Sequence, residues 1–292
     1  MRTIHFIVNP ISGKGKHKIT EDNLRRYFPA ENYTIKVDYT EYKYHATLLT
    51  LKAIEANPDY IVACGGDGTI NEVASCLVNK SITLGIVPVG SGNGLASNLK
   101  IPGKLEDALQ IIKNGAVSAI DVGKVNDHYF FSNMGIGIDA MIIRNYEHSG
   151  TRTLVSYIKS ALKASFEFKP TKTIITLPGL LMIDKPFMLF VSNSNEMGYG
   201  MSLTPKANLS DGLLDIVIIP SLSFREKLLL GYNVLRNTIE KFKKAQHFPV
   251  DKLHLELPEK IFPDVQIDGE YHNLKTIKLD ISLLPMSLTV LS

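Results

Sequence analysis

The sequence predicts an α/β domain built on a parallel sheet, followed by a second, mostly β domain. Three observations predict it. Three times in the first hundred residues a β-branched run ends in a glycine-containing turn and passes into a helix-compatible segment: "TIHFIVNPISGKGK", "DYIVACGGDGTINEVASCL" and "ITLGIVPVGSGNGLASNL". Those runs lack polar alternation, as strands do when a parallel sheet is covered on both faces. Beyond about residue 120 the texture changes to shorter strand-like runs separated by turn residues.

In chain order, the first run ends at Asn9-Pro10, and a helix-compatible segment covers 43–56. In the second unit Thr69 with Glu72 three residues on reads as a capping box, so the helix is expected to start at Thr69 and leave Asp67 in the turn. After the third unit, Leu105 to Lys113 reads as a helix leading to a boundary near residue 120. The first domain is therefore expected at 1–120. The second, at 121–284, holds the runs "AIDVGKV", "HYFFSNMGIGI", "TKTIITL", "PFMLFVSNS", "LLDIVII", "KLHLEL" and "TIKLDI", with helical segments expected at 151–165 and 223–246. The last run, "MSLTVLS", at about 285–292, is a candidate to return to the first domain.

With 292 residues and 45% hydrophobic content the chain supports real cores, and a net charge of +3 with 21% charged residues gives no bulk reason to bind nucleic acid. Its two cysteines, Cys64 and Cys76, sit in no metal-ligand spacing and form no disulfide framework. The apolar run before Asn9-Pro10 is too short for a signal peptide. The apolar stretch 173–192 is broken by Pro178-Gly179 and Asp184-Lys185-Pro186, so it cannot supply the ~20 apolar residues of a membrane helix. The expected location is the cytoplasm, soluble or peripheral to the membrane. A homodimer is compatible with the sequence.

Glycine turns at strand ends let a ligand approach the main chain, while backbone N–H groups and a following helix N-terminus attract anions. Three such loops at the carboxyl ends of parallel strands suggest a polyphosphate. Asp67 among those backbones would repel phosphate unless Mg²⁺ lay between them, which points to a metal nucleotide. The alternative is a tight turn in which Asp67 only hydrogen-bonds locally. The common nucleotide signatures are absent: there is no GxxxxGK[ST], no HRD with DFG, and Asn71 occupies the third glycine position of a dinucleotide fingerprint.

The blocks "VNPISGKGK", "GGDGTINEV", "PVGSGNGLA", "NMGIGIDA", "SDGLLDIVII" and "IDGE" resemble, in order and spacing, the catalytic-domain family of the diacylglycerol kinases, which includes bacterial lipid kinases, sphingosine kinases and ceramide kinases. The resemblance implies a NAD kinase/diacylglycerol kinase-like fold, an α/β nucleotide-binding domain plus an antiparallel β-sandwich, with ATP-Mg²⁺ and an acceptor lipid meeting in the cleft between them. Carried over by position, the ATP contacts are Asn9, Pro10, Ser12, Gly13, Thr40, Gly65, Gly66, Asp67, Gly68, Thr69, Asn71, Glu72, Ser91 and Arg152. Asp139 matches an aspartate that faces the lipid head group in sphingosine kinases. Asn208, Asp211 and the carbonyl of Leu213 match a structural Mg²⁺ site, although Ser210-Asp211-Gly212 is also an ordinary hairpin turn.

Asp268 and Glu270 match the pair to which the bacterial family assigns the proton acceptor, usually the glutamate, with Asp268 positioning; in sphingosine kinases the role has been given to the residue matching Asp67. Gly94 stands where many bacterial diacylglycerol kinases carry an aspartate of a metal-water network, while Asp67 and Asp121 remain at its other positions. The implied reaction is ATP- and Mg²⁺-dependent phosphorylation of a hydroxyl on a membrane lipid such as diacylglycerol or a sphingoid base. The rivals are a kinase of a soluble acceptor such as NAD, and a non-catalytic nucleotide-binding regulator.

Residues 221–247 hold six Lys/Arg and two acids, a local +4, interleaved with Phe224, Leu228, Leu229, Leu235, Ile239 and Phe242. That suits a helix lying on anionic lipid, through Lys241, Lys243 and Lys244 among others, or a solvated helix packing its apolar face inward.

Overall fold

The computed structural model describes residues 1–15, 17–90, 92–150, 153–197, 200–259 and 264–292. It divides into one unit of residues 1–121 and 285–292 and another of residues 122–284, and the chain passes between them inside two strands.

In the first unit β1 (Arg2–Val8) leads through a 3₁₀ turn at Ser12–Gly15 to α1 (Glu21–Arg25), β2 (Tyr33–Tyr39) and α2 (His45–Glu55). There follow β3 (Tyr60–Gly65), α3 (Asp67–Leu77), β4 (Thr83–Pro88), α4 (Gly94–Asn98), α5 (Leu105–Asn114) and the start of β5 (Val117–Val125). The strands run parallel in the order β2-β1-β3-β4, with Val8 beside Cys64 and Cys64 beside Val87. Every residue of β3 and β4 is buried, as continuous apolar runs require. The final residues, part of β16 (Lys278–Leu291), run parallel to β4 with Val290 opposite Leu84. This register sets the carboxyl ends of β1, β3 and β4, and hence the three glycine loops, side by side.

The second unit continues with β6 (His128–Phe130), β7 (Asn133–Gly137), α6 (Ile138–His148), α7 (Leu154–Glu167), β8 (Thr173–Leu177), β9 (Leu180–Asp184) and β10 (Met188–Ser192). It is completed by β11 (Leu214–Ile219), α8 (Phe224–Leu235), β12 (Gln246–Val250), β13 (Lys252–Glu256), β14 (Asp264–Ile267), β15 (Glu270–Asn273) and the first part of β16. An antiparallel sheet, β12-β11-β10-β7-β14-β15, shares a core with strands β8, β13 and β16 through Met134, Leu189, Val191, Ile216, Leu255 and Ile281. Alternation along β10 sends Met188 and Phe190 to the other face, where they pack with Ile142 of α6, Ala164 of α7 and Leu230 of α8. The result is a β-sandwich with three helices over one sheet.

Three local expectations are corrected. The second glycine unit becomes helical at Asp67, not Thr69, with Gly66 at the N-cap. The block containing Gly135 and Gly137 is a strand only as far as Gly137, after which α6 begins. The segment 223–246 is not one helix: α8 stops at Leu235, Asn237 takes a left-handed conformation at φ 52°, and β12 begins at Gln246.

Candidate active site

Each glycine loop of the first unit grips the next. From loop one, Asn9 donates its Nδ2 to Thr69 Oγ1 (3.1 Å) and its backbone N–H to the Cys64 carbonyl (2.9 Å). A Cβ on Gly13 would lie 2.7 Å from the Val89 carbonyl oxygen, so loops one and three are in contact. Gly90 approaches so closely that its Cβ would lie 2.5 Å from the Gly66 Cα, a packing open only to glycine. Pro10 is exposed and Ser12 half-buried in loop one, and Thr40 is buried beside them, its N–H donating to the Val8 carbonyl (2.8 Å).

Asp67 is the clasp. Its Oδ2 accepts from the Asn93 N–H (2.8 Å) and its Oδ1 from the Gly94 N–H (2.7 Å), joining loop two to the start of α4. Asn93 itself adopts φ 53° and bridges Gly90, accepting from its N–H (3.0 Å) and donating to its carbonyl (2.7 Å). Asp67 is therefore more than a turn residue awaiting a metal: its charge is engaged by two backbone amides. Gly94, the departure from the family pattern noted in the sequence, supplies one of those amides.

Asparagine is the non-glycine residue that most readily takes this left-handed conformation, so the third loop did carry a sign of Asn93's role. Thr69 is buried under the Asn9 amide, and Gly65 and Gly68 flank the turn, Gly65 buried and Gly68 half-buried. Asn71 Oδ1 accepts from Ser75 Oγ (3.3 Å). Glu72 completes no capping box. It accepts from the N–H groups of Tyr44 (3.2 Å) and Thr47 (3.3 Å), serving the uncapped N-terminus of α2 across 28 and 25 residues of sequence. Asp121 is buried in β5 and accepts from the Met286 N–H (2.7 Å). Ser91 and Arg152 lie outside the described residues.

In the second unit Asp268 and Gly269 form the two-residue turn between β14 and β15, both at positive φ. Asp268 is buried, and its carboxylate accepts from the N–H groups of Phe131 (2.9 Å), Ser132 (2.8 Å) and Asn133 (3.1 Å). This locks the hairpin to the start of β7 and fixes where Glu270, half-buried at the head of β15, stands. Behind the turn, Gln266 Oε1 accepts from the Gly269 N–H (2.9 Å) and its Nε2 donates to Asn133 Oδ1 (2.8 Å).

The same Gln266 side chain hydrogen-bonds Asp139, the match to a head-group-facing aspartate, which is buried in the first turn of α6. Gly135 makes room for it: a Cβ there would lie 2.1 Å from Asp139 Oδ2, which has no hydrogen-bond partner among the described residues. Burial pushes the Asp139 carboxyl up to about 7, opposed by the Gln266 bond. Gln266 was not singled out from the sequence, because a polar residue inside an apolar strand run gives no sign of its partners.

The loop before β11 places Asn208, Asp211 and Leu213 at the surface. Asn208 Oδ1 accepts from the Ser210 N–H (3.1 Å) and Asp211 Oδ1 from the Leu213 N–H (3.0 Å). Asp215 is half-buried nearby, its carboxyl raised first by burial and then by the charge of Asp211. This all-oxygen set of two side chains and a carbonyl fits a hard cation such as Mg²⁺. No cluster of three His, Cys, Asp or Glu occurs among the described residues, so an ion there would depend on the amide and carbonyl oxygens. In the basic stretch, Ile239 and Phe242 are core residues and Lys244 pairs with Glu226 at 2.7 Å. Of the two readings of that stretch, Ile239 and Phe242 follow the one in which apolar residues pack inward.

An α/β unit with three interlocked glycine loops, followed by a β-sandwich with a carboxylate hairpin, is the build of a phosphotransferase acting on an alcohol group. Residues 3–125 match the diacylglycerol kinase catalytic domain, and residues 132–292 match the YegS C-terminal NAD kinase beta sandwich-like domain. A diacylglycerol kinase of Bacillus subtilis is 28% identical over 277 residues, 93% of this chain and 90% of that protein. A YegS-like lipid kinase of Pectobacterium atrosepticum is 31% identical over 209 residues, 69% of this chain and 70% of that one. A crystal structure of a diacylglycerol kinase from Bacillus anthracis superposes with a TM-score of 0.73 at 22% identity, covering 99% of this chain and 96% of that one. A second structure from that organism gives 0.78 at 25%, covering 99% and 97%. The chain belongs to the diacylglycerol kinase family of lipid kinases.

Proposed function

We propose that this lipid kinase transfers the γ-phosphoryl group of Mg²⁺-ATP to a hydroxyl of a membrane lipid of the diacylglycerol or sphingoid-base class, working as a peripheral protein at the cytoplasmic membrane surface. The Asp67 clasp carries the reading: it ties the second glycine loop to the third at the N-terminus of α3, where backbone N–H groups suit a polyphosphate. In this role Asn9 to Gly13, Thr40 and Gly65 to Glu72 bind or support the nucleotide, with Ser91 and Arg152 assigned by position.

Glu270 is the general base that takes the proton of the acceptor hydroxyl. Asp268, committed to three amides, is the positioning residue for that hairpin and not a second base. Mg²⁺, when bound, would neutralise the phosphate oxygens; Asp67, the carboxylate of the glycine turn, would hold it with the nucleotide, and the 208–213 loop would hold a separate structural ion. The test is incubation of the purified chain with labelled ATP and a fractionated lipid extract, followed by mass spectrometry of the labelled product. A phosphorylated diacylglycerol or sphingoid base supports the proposal. Label found only in NADP or in free phosphate refutes it.

A further inference from the structure

We infer that α6 positions Glu270 for its reaction, with Glu147 and Gln266 holding the two backbone amides on either side of it, an inference that rests on the reading of Glu270 as the base. A general base must stand within hydrogen-bond reach of the proton it takes, and a misplacement of about 1 Å can cost about 10²-fold in rate. The hairpin that carries Glu270 is poorly placed to meet that demand alone. β15 has four residues and ends its sheet, with β14 as its one strand neighbour. A Cβ at Gly269, in the tip, would meet nothing within 4 Å among the described residues, so packing does not hold the turn. Such an edge opens locally unless other bonds fix it.

Side chains supply those bonds on both flanks of Glu270. Before it, Gln266 is 2% exposed in β14, and burying an amide costs stability unless its polar atoms are bonded. Its Oε1 accepts from the Gly269 N–H (2.9 Å), its Nε2 donates to Asn133 Oδ1 (2.8 Å), and the same side chain bonds Asp139 of α6. After Glu270, the Tyr271 N–H donates to Glu147 Oε1 of α6 (2.9 Å), across 124 residues of sequence. Tyr271 is held a second time: its hydroxyl donates to Asp264 Oδ1 (2.7 Å), and Asp264 Oδ2 accepts from Arg144 Nη1 of α6 (3.2 Å). The helix is itself seated, with Ile138 and Ile142 in one core with Phe187 and Phe190. Glu147 and Gln266 thus tie the main chain around Glu270 to a packed element. They act through Glu270 and are positioning residues.

The test makes Glu147→Ala, Glu147→Gln and Gln266→Met, each alone and in the Glu270→Gln background. Glutamine at 147 keeps an acceptor for the Tyr271 N–H, and methionine at 266 keeps the volume while removing the bonds. Two readouts are taken: kinetics with diacylglycerol in mixed micelles, and amide hydrogen exchange in peptides spanning 264–273. Glu147→Ala and Gln266→Met should lower kcat at least tenfold with KM for Mg²⁺-ATP within twofold of wild type, and speed exchange at Tyr271 and Gly269 respectively. Glu147→Gln should restore both readouts to within twofold. In the Glu270→Gln background the same changes should cost less than twofold more, because there is no base left to misplace, whereas a loosened fold would slow both backgrounds alike. A kcat within twofold of wild type for Glu147→Ala and Gln266→Met, or equal losses in the two backgrounds, overturns the inference. The base reading fails separately, if Glu270→Gln turns over at the wild-type rate or wild type phosphorylates no lipid. Exchange alone then decides: faster exchange in the two variants upholds the tethers, and unchanged exchange overturns them.

Discussion

Asp67→Asn tests how the nucleotide loops are held. The aspartate accepts two short bonds from backbone amides, 2.7 Å from Gly94 and 2.8 Å from Asn93. Asparagine keeps one acceptor oxygen but presents an NH₂ group to the other donor, so one bond is lost and one amide faces another donor. A hydrogen bond to a charged group contributes about 1.5–3 kcal/mol net, and an unsatisfied donor costs a similar amount. Part of this is relieved by water, which leaves about 2–3 kcal/mol to reorder the third loop when ATP binds. At about 1.4 kcal/mol per tenfold, the dissociation constant for Mg²⁺-ATP should rise roughly 30- to 150-fold. Calorimetric titration of wild type and variant with a non-hydrolysable ATP analogue, beside a thermal melt to show that the variant is folded, measures it. Nucleotide affinity within threefold of wild type would refute the clasp. If kcat were abolished at the same time, Asp67 would be acting on the acceptor proton instead.

Glu270→Gln should lower kcat by about 10² to 10⁴, the usual worth of a general base, with Mg²⁺-ATP affinity within twofold of wild type by the same calorimetry. Asp139 gives a pH test. Its folded carboxyl titrates at about 7 against 3.8 unfolded, so the unfolded chain loses the proton first and stability falls as pH rises from about 4 to 7. At 1.36 kcal/mol per pH unit, this group's share of the fall is about 4 kcal/mol. Asp139→Asn should therefore be more stable than wild type at pH 8 and close to it at pH 5, as read from urea midpoints; a variant weaker at pH 8 would contradict the buried proton. Asp211→Ala should remove any Mg²⁺-dependent rise in Tm that wild type shows, because the ion would order the 208–213 loop; equal Mg²⁺ responses in the two proteins would leave that loop a plain turn.

The three strand-loop-helix units were legible because uninterrupted apolar runs ending in glycine can do little else in a parallel sheet, and β1, β3 and β4 are buried as those runs require. The glycines also revealed that main chain would be brought close to main chain. They could not reveal that Asp67 would be helical, because Gly66 serves as N-cap without offering a side chain to read. Thr69 and Glu72 imitate a capping box, yet each has a partner from a distant segment, Asn9 and the start of α2, and no local pattern encodes that choice.

The pairing of Asp268 with Glu270 was visible as a motif, but their division of labour was not. It follows from three amides more than 130 residues away. Asp139 was legible only through the glycine motif that carries it, which says nothing of its burial. Those glycines make space for it inside, where Gln266 reaches it. The end of α8 was missed because the stretch 223–246 was read for its charge and apolar spacing, and Asn237, which adopts a left-handed backbone there, was not weighed as a stop.

The central claim is that this chain moves phosphate from ATP to a lipid hydroxyl, with Glu270 taking the proton. Wild type and Glu270→Gln, each supplied with γ-labelled ATP, Mg²⁺ and diacylglycerol or sphingosine in mixed micelles, should be compared for label extracted into the organic phase. The account predicts rapid, lipid-dependent transfer by wild type and a rate lower by at least a hundredfold for the variant, at equal ATP occupancy. Label that stays in the aqueous phase with wild type, or transfer by the variant at the wild-type rate, would contradict it.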